Sequence, residues 1–241
     1  MKDQQAERLK FRRALYFGFL YVTIIILVKG IETWFGISFV HLGVFPREIK
    51  GLTGIVFAPL IHGSWEHLFN NSIPLLVLTT ALFYFYRTIS LKIFLLIYFI
   101  HGLWLWSFGR DSYHIGASGI IYGLGSFLFV SGIIRKNSHL LAISLLVAFL
   151  YGSMVWGIFP TIESVSWEGH FTGMASGILL AFYYKKYGPG PNFGKWKYGM
   201  AETEVIDEEG FDNESWIAEE KISEKERLPD ENSDNREILN N

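Results

Sequence analysis

The sequence predicts an all-α membrane protein, a compact bundle of six transmembrane helices with an interfacial first outer loop, on three observations. Six apolar stretches lie along the 241-residue chain, near 14–30, 68–86, 91–108, 118–134, 139–159 and 171–187. They are apolar all round rather than alternating, which favours helices over a barrel. The basic residues are shared very unequally between alternate connecting segments, as insertion of a polytopic chain demands.

The first stretch follows a basic segment, residues 1–13, that contains Lys2, Arg8, Lys10, Arg12 and Arg13. Its apolar run is long and no small-x-small cleavage signal follows, so it reads as a retained first helix rather than a removed leader. Residues 31–66 are too apolar for a plain solvent loop. They carry Trp34, Trp65, Pro46 and Pro59 and several glycines, and are expected to form short helices lying partly in the outer leaflet. The remaining five stretches have 17–21 residues. That length crosses a thinned bilayer or sits inside a compact bundle.

With the N-terminus cytoplasmic, the inside segments up to residue 200 hold thirteen Lys and Arg residues, and the outside ones only Lys29, Arg47, Lys50 and Arg110. Six crossings then return the C-terminus to the cytoplasm. The domain organisation expected is a basic segment 1–13, a helical core 14–187 and an acidic tail 188–241. Residues 201–241 alone contain 15 acidic and 4 basic residues. The formal net charge of −2 therefore joins a basic membrane part to an acidic tail that is expected to be disordered. That balance gives no reason to expect nucleic-acid binding. The chain has no cysteine, which excludes disulfides and thiolate chemistry.

Three polar clusters fall at one depth of the expected bundle. Ser118 opens the fourth stretch in HIGASGIIYGL, His67 and Asn71 open the second in WEHLFNN, and His170 opens the sixth in WEGHFTGMASG. All three segments run inward, so their starts share the outer side. His67 and Asn71, four residues apart, share a helix face. A serine hydroxyl becomes a nucleophile when a base takes its proton, and His170 suits that part. Acyl transfer creates an oxyanion, for which the Asn71 amide, the His67 ring and the Ser118 backbone N–H are candidate donors. Gly116 and Gly119 would let the chain approach that oxygen. With no intramembrane aspartate in view, the pattern is a Ser–His dyad. Gly119 with Gly123, and Gly173 with Gly177, form two small-xxx-small faces for close approach of the fourth and sixth helices. Tyr122, one turn below Ser118, is placed to pack against the His170 ring.

The motifs GASG at 116–119, HLFNN at 67–71 and GHFTGMASG at 169–177 together resemble the rhomboid family of intramembrane serine proteases, across roughly residues 10–187. The resemblance implies a rhomboid-like bundle with Ser118 as nucleophile and His170 as general base. It further implies His67 and Asn71 in the oxyanion hole, His62 as a polar residue at the cavity mouth, and Tyr122 supporting the base. It also implies a short central fourth helix, a water-filled cavity open to the outside, and transmembrane protein substrates reached laterally through the lipid bilayer. A plasma-membrane location fits a bacterial chain of this form. No cofactor or metal is implied, and nothing bears on oligomeric state. One departure is visible, since the Trp-Arg pair of many bacterial relatives is missing from the first outer loop and Pro46 with Arg47 is no obvious replacement.

Other readings were weighed. A zinc protease would need two ligands and a glutamate at H-E-x-x-H spacing, which WEHLF lacks. A transporter would show ionisable residues through the span or repeated halves. A catalytically inactive rhomboid-like membrane-protein binding factor need not keep nucleophile, base and donors together. His114 is expected to shape the turn before Ser118 and His101 to pack as a neutral side chain. His41 and His139 are expected in loops or at the interface.

Overall fold

The computed structural model describes residues 2–150, 157–160, 165–192 and 205–206. Helix α1 runs over Lys2–Phe35, well beyond the 14–30 expected for the first span. The reason is local: Gln4, Gln5, Ala6, Glu7, Arg8, Leu9 and Lys10 are strong helix formers with no Gly or Pro among them. The basic residues from Lys2 to Arg13 thus lie on the first turns of the same helix. A compact connection follows, with 3-10 turns at Val40–Leu42, Ile49–Thr53 and Ala58–Leu60 and a single helical turn, α2, at Gly54–Phe57. Then come α3 (Trp65–Phe85), α4 (Ser90–Phe108), α5 (Ser118–Ile134), α6 (Ser138–Leu150) and α7 (Trp167–Tyr183).

Among the described residues, α1 from Gln4, α3 and α4 are long and apolar enough to cross a membrane, while α5 and Ser138–Phe149 of α6 are shorter apolar helices. Burial is distributed as lipid requires. Leu68, Leu75, Leu78, Ile97, Ile120, Leu124, Phe127 and Leu128 are fully enclosed. The outward faces carry Leu27, Leu91, Phe99, Leu103, Leu146, Leu179 and Phe182, all exposed. Apolar surface on this scale, spread over the outer faces of several helices, would be unstable in water and is natural in a bilayer. Helix α5 is the axis of the bundle, packing against α3, α4, α6 and α7.

The first connection is held down at both ends. Glu32 is buried, and its carboxylate accepts from the Phe39 N–H at 2.7 Å and from Lys29 Nζ at 3.2 Å. Lys29 also donates to Gly63 O at 3.3 Å, which joins the end of α1 to the start of α3. Arg47, the residue with no obvious counterpart in the family pattern, takes a left-handed backbone at φ 61°. Its N–H donates to Trp106 O at 2.9 Å, and its guanidinium donates to Gly109 O at 2.7 Å and to the Asp111 carboxylate. It therefore ties this connection to the end of α4. Val44 and His114 form an antiparallel bridge from the same connection to the approach to α5.

At the opposite end, Arg135 donates to the carbonyls of Lys185, Gly188 and Pro189 at 2.6–2.9 Å, fastening the segment after α7 to the α5–α6 turn. Gly188–Pro189 pairs antiparallel with Val205–Ile206. The rest of the expected acidic tail beyond Asn192 lies outside the described residues, as does part of the expected fifth span, 151–156.

Candidate active site

Three helix N-termini build the site. Ser64 caps α3, its Oγ accepting from the His67 N–H at 3.0 Å. That cap places His67 and Asn71 one turn apart on the inner face. Asn71 is buried, and its Nδ2 donates to His67 O at 2.7 Å. One N–H of the amide is thereby held by its own helix, and the second is aimed by the same bond.

Helix α5 starts at Ser118 because the two preceding residues turn sharply. Gly116 has φ +107°, a conformation that side-chain-bearing residues rarely adopt. Its N–H donates to Ala58 O at 2.9 Å. A Cβ there would stand 2.7 Å from His67 Cε1, so the absence of a side chain admits the His67 ring beside the turn. Ala117 supplies no side-chain cap. The first N–H groups of α5, that of Ser118 among them, are left at the positive end of the helix dipole.

Helix α7 is capped by Ser166, whose Oγ accepts from the Gly169 N–H at 3.2 Å. His170 follows in the first turn. Its Nε2 lies 2.8 Å from Ser118 Oγ and its Nδ1 lies 2.8 Å from Gly157 O. A carbonyl oxygen only accepts, so Nδ1 carries the proton and Nε2 presents its lone pair to the serine hydroxyl. The Tyr122 ring stacks on the imidazole at 4.3 Å between centroids and 12° between planes.

Backbone contact between α5 and α7 makes this distance possible. A Cβ on Gly173 would run into the carbonyl of Gly119, and one on Gly177 into the carbonyl of Gly123. Ser126 Oγ adds a bond to Met174 O at 2.9 Å. Gly119 does something different from clearing the reactive oxygen. A Cβ there would strike the imidazole of His101, whose Nδ1 lies 3.0 Å from Thr172 Oγ1. His101, Ser118, Ser166 and Gly169 line a cavity of about 20 Å³ that also reaches His114.

His62 does not sit at a cavity mouth. It is 1% exposed and packs behind His67, with ring centroids 5.0 Å apart and the Ala117 N–H at 3.4 Å from Nε2. The turn after Pro59 folds it inward beneath the α5 start. Burial, with the neighbouring His67 second, lowers its pKa to about 3. An unfolded chain holds that imidazole near its ordinary value, so between pH 6.5 and 3 the unfolded state binds the extra proton. Stability is fully present above pH 6.5 and falls as the solution is acidified through that window. The expected slope is at most about 1.4 kcal/mol per pH unit. Thermal unfolding in detergent from pH 7 to 4.5 should show a shallower decline in His62→Gln than in the parent chain.

Sequence reasoning missed three contributors. The Gly157 carbonyl that orients His170 carries no side-chain signature. His114 acts at a distance: its Nδ1 lies 2.6 Å from Ser166 Oγ and its Nε2 3.0 Å from Arg110 O. It thereby links the approach to α5 with the cap of α7. Glu168, buried beside His170 in the first turn of α7, faces Arg110 at 3.7 Å. The S-W-E start of α7, with an acidic residue in the first turn, was the available signal for the cap and for Glu168.

A helical bundle with apolar outer faces, whose serine and histidine meet across two glycine-lined helices, defines a polytopic membrane protein with an interior polar site. The rhomboid domain family model matches residues 50–187, and the chain belongs to the rhomboid family. Uncharacterized proteins of Mycobacterium bovis and Mycobacterium tuberculosis are each 35% identical over 176 residues, covering 67% of this chain and 71% of theirs. One of Mycobacterium leprae is 35% identical over 173 residues, covering 67% of this chain and 68% of its own length.

Proposed function

We propose that this protein is an intramembrane serine endopeptidase that cuts membrane proteins in or near their transmembrane segments, with Ser118 as nucleophile and His170 as general base. The observation that carries the reading is the 2.8 Å approach of His170 Nε2 to Ser118 Oγ with Nδ1 committed to Gly157 O. A base in that tautomer accepts a proton without further rearrangement.

The proposed reaction has two halves. Ser118 Oγ bonds to the scissile carbonyl carbon as its proton passes to His170 Nε2. The oxyanion is met by Asn71, His67 and the Ser118 N–H. On collapse the C–N bond breaks, and the proton on Nε2 goes to the departing amine. Water then adds to the acyl carbon, giving its proton to Nε2, and the ester bond to Ser118 breaks with return of that proton to Oγ. The topology proposed with this reading is six crossings, both termini in the cytoplasm of a bacterial plasma membrane, and the site opening outward. Substrates would reach it laterally from the bilayer.

The test is reconstitution in liposomes with single-pass substrates that carry a small residue and a helix-breaking residue near the outer end of the span. A fluorophosphonate probe is applied in parallel and mapped by mass spectrometry. Cleavage with probe attached at Ser118 supports the proposal. A probe that never modifies Ser118, together with intact substrates throughout the panel, would point to an inactive rhomboid-like binding factor. Asn71→Ala is expected to lower kcat about a hundred- to a thousandfold with KM changed only a few-fold, measured on the best substrate.

A further inference from the structure

The end of the bundle remote from Ser118 holds a second cleft, of about 240 Å³, between the first turns of α1 and the last turn of α3. Ala6, Leu9, Lys10, Arg13, Ala14 and Phe17 face it from α1, Phe83 from α3 and Arg87 from the turn after α3. Three cations therefore share a concavity with an apolar wall. Lys10 is engaged, with Nζ 3.3 Å from Glu7 and 4.7 Å from the Tyr84 ring centroid. The second oxygen of Glu7 accepts from Tyr84 Oη at 2.7 Å. Arg13 and Arg87 are exposed, and among the described residues neither guanidinium makes a hydrogen bond or a close ion pair, while the charge of Arg87 reaches the Glu7 carboxylate.

Depth identifies the occupant. The end of α3, Phe85, lies eighteen residues beyond His67, about 27 Å at the helical rise and so close to the thickness of the hydrocarbon core, and Arg87 follows it. The cleft is thus at a membrane surface. Polarity is ordered along the axis too. On the α1 wall Ala14 and Phe17 follow Arg13, and Phe17 lies four residues, about 6 Å, further into the bundle. Phe17 stacks on Phe83 at 4.2 Å and closes the inner end. Cations outside and aromatic carbon inside is the order of a phospholipid, head group above acyl chain. An acidic peptide lying across the rim would leave the apolar wall uncovered.

We infer that this cleft binds an anionic phospholipid, its phosphodiester between Arg13 and Arg87 and one acyl chain against Ala14, Phe17 and Phe83. The inference depends on the membrane setting and is independent of the protease reading. Basic pockets between helices at the membrane surface are a known physical solution for holding such head groups.

Native mass spectrometry of the full chain in uncharged detergent, titrated with palmitoyl-oleoyl phosphatidylglycerol, tests it. A saturable adduct is expected that weakens about tenfold or more in the Arg13→Gln/Arg87→Gln double variant. The Arg8→Gln/Arg12→Gln variant removes the same charge from α1 outside the cleft and should weaken the adduct less than twofold. Equal losses in the two variants would mean diffuse surface attraction and overturn the proposal. Full competition by millimolar inorganic phosphate would make it a free-anion site only. An adduct seen only after removal of residues 201–241 would assign the cleft to the acidic tail of this chain.

Discussion

Ser118→Ala is expected to abolish cleavage, by roughly ten-thousandfold or more in kcat/KM, while leaving the fold intact. The substitution removes one oxygen, whose recorded partner is His170 Nε2 at 2.8 Å. Neither the cap of α7 nor the contact between the glycine faces involves that atom, so thermal stability should change little. His170→Ala should cost about as much as Ser118→Ala, and the double variant no more than either alone. On the proposed reading the two groups work as one unit, so removing either removes the whole covalent route. Initial rates on a reconstituted transmembrane substrate, with unfolding midpoints taken on the same preparations, check both halves. Additive losses, or cleavage that persists in Ser118→Ala, would remove Ser118 from the nucleophile's place.

The second large effect is expected from Gly173→Val. The new Cβ would meet the backbone carbonyl of Gly119 and not the movable end of a side chain. Backbone cannot yield locally within a packed helix, so α5 and α7 must separate. Overpacking of this kind costs about 3 kcal/mol or more. The same displacement acts on chemistry, because Ser118 rides on α5 and His170 on α7. A shift of about 1 Å between such groups is worth roughly a hundredfold in rate. Gly30→Ala supplies the contrast, since nothing stands within 4 Å of the added carbon and the residue lies inside α1. That variant should be neutral or up to about 1 kcal/mol more stable through helix propensity alone. Unfolding midpoints and cleavage rates for the pair separate close helix approach from a general intolerance of glycine replacement.

The helices were legible because the runs that form them are continuous in sequence. The approach of His170 to Ser118, with His67 beside the turn before it, was foreseeable for a related reason. Each opens an apolar run, and every second run has the same direction, so their starts come to the same side. What the apolar pattern misjudged was α1, whose polar first turns are helical by propensity and not by hydrophobicity. The resemblance set His62 at the cavity mouth whereas it is buried, since no local pattern tells a residue in a turn whether it will face solvent or fold beneath a neighbouring helix.

The sequence by itself determined the membrane class, the helical stretches, the four-residue spacings and the small faces on α5 and α7. All of these are relations between residues close along the chain, which helical geometry converts directly into shared faces. Only the tertiary structure decided which partner each polar atom meets. The carbonyl of Gly157 on His170, the His114 ring on the cap of α7, His101 in the space left by Gly119, and the cleft that sets Arg87 beside Arg13 all join residues far apart in the chain. Backbone carbonyls are the same in every residue, and long-range pairing leaves no periodic trace, so packing alone selects them.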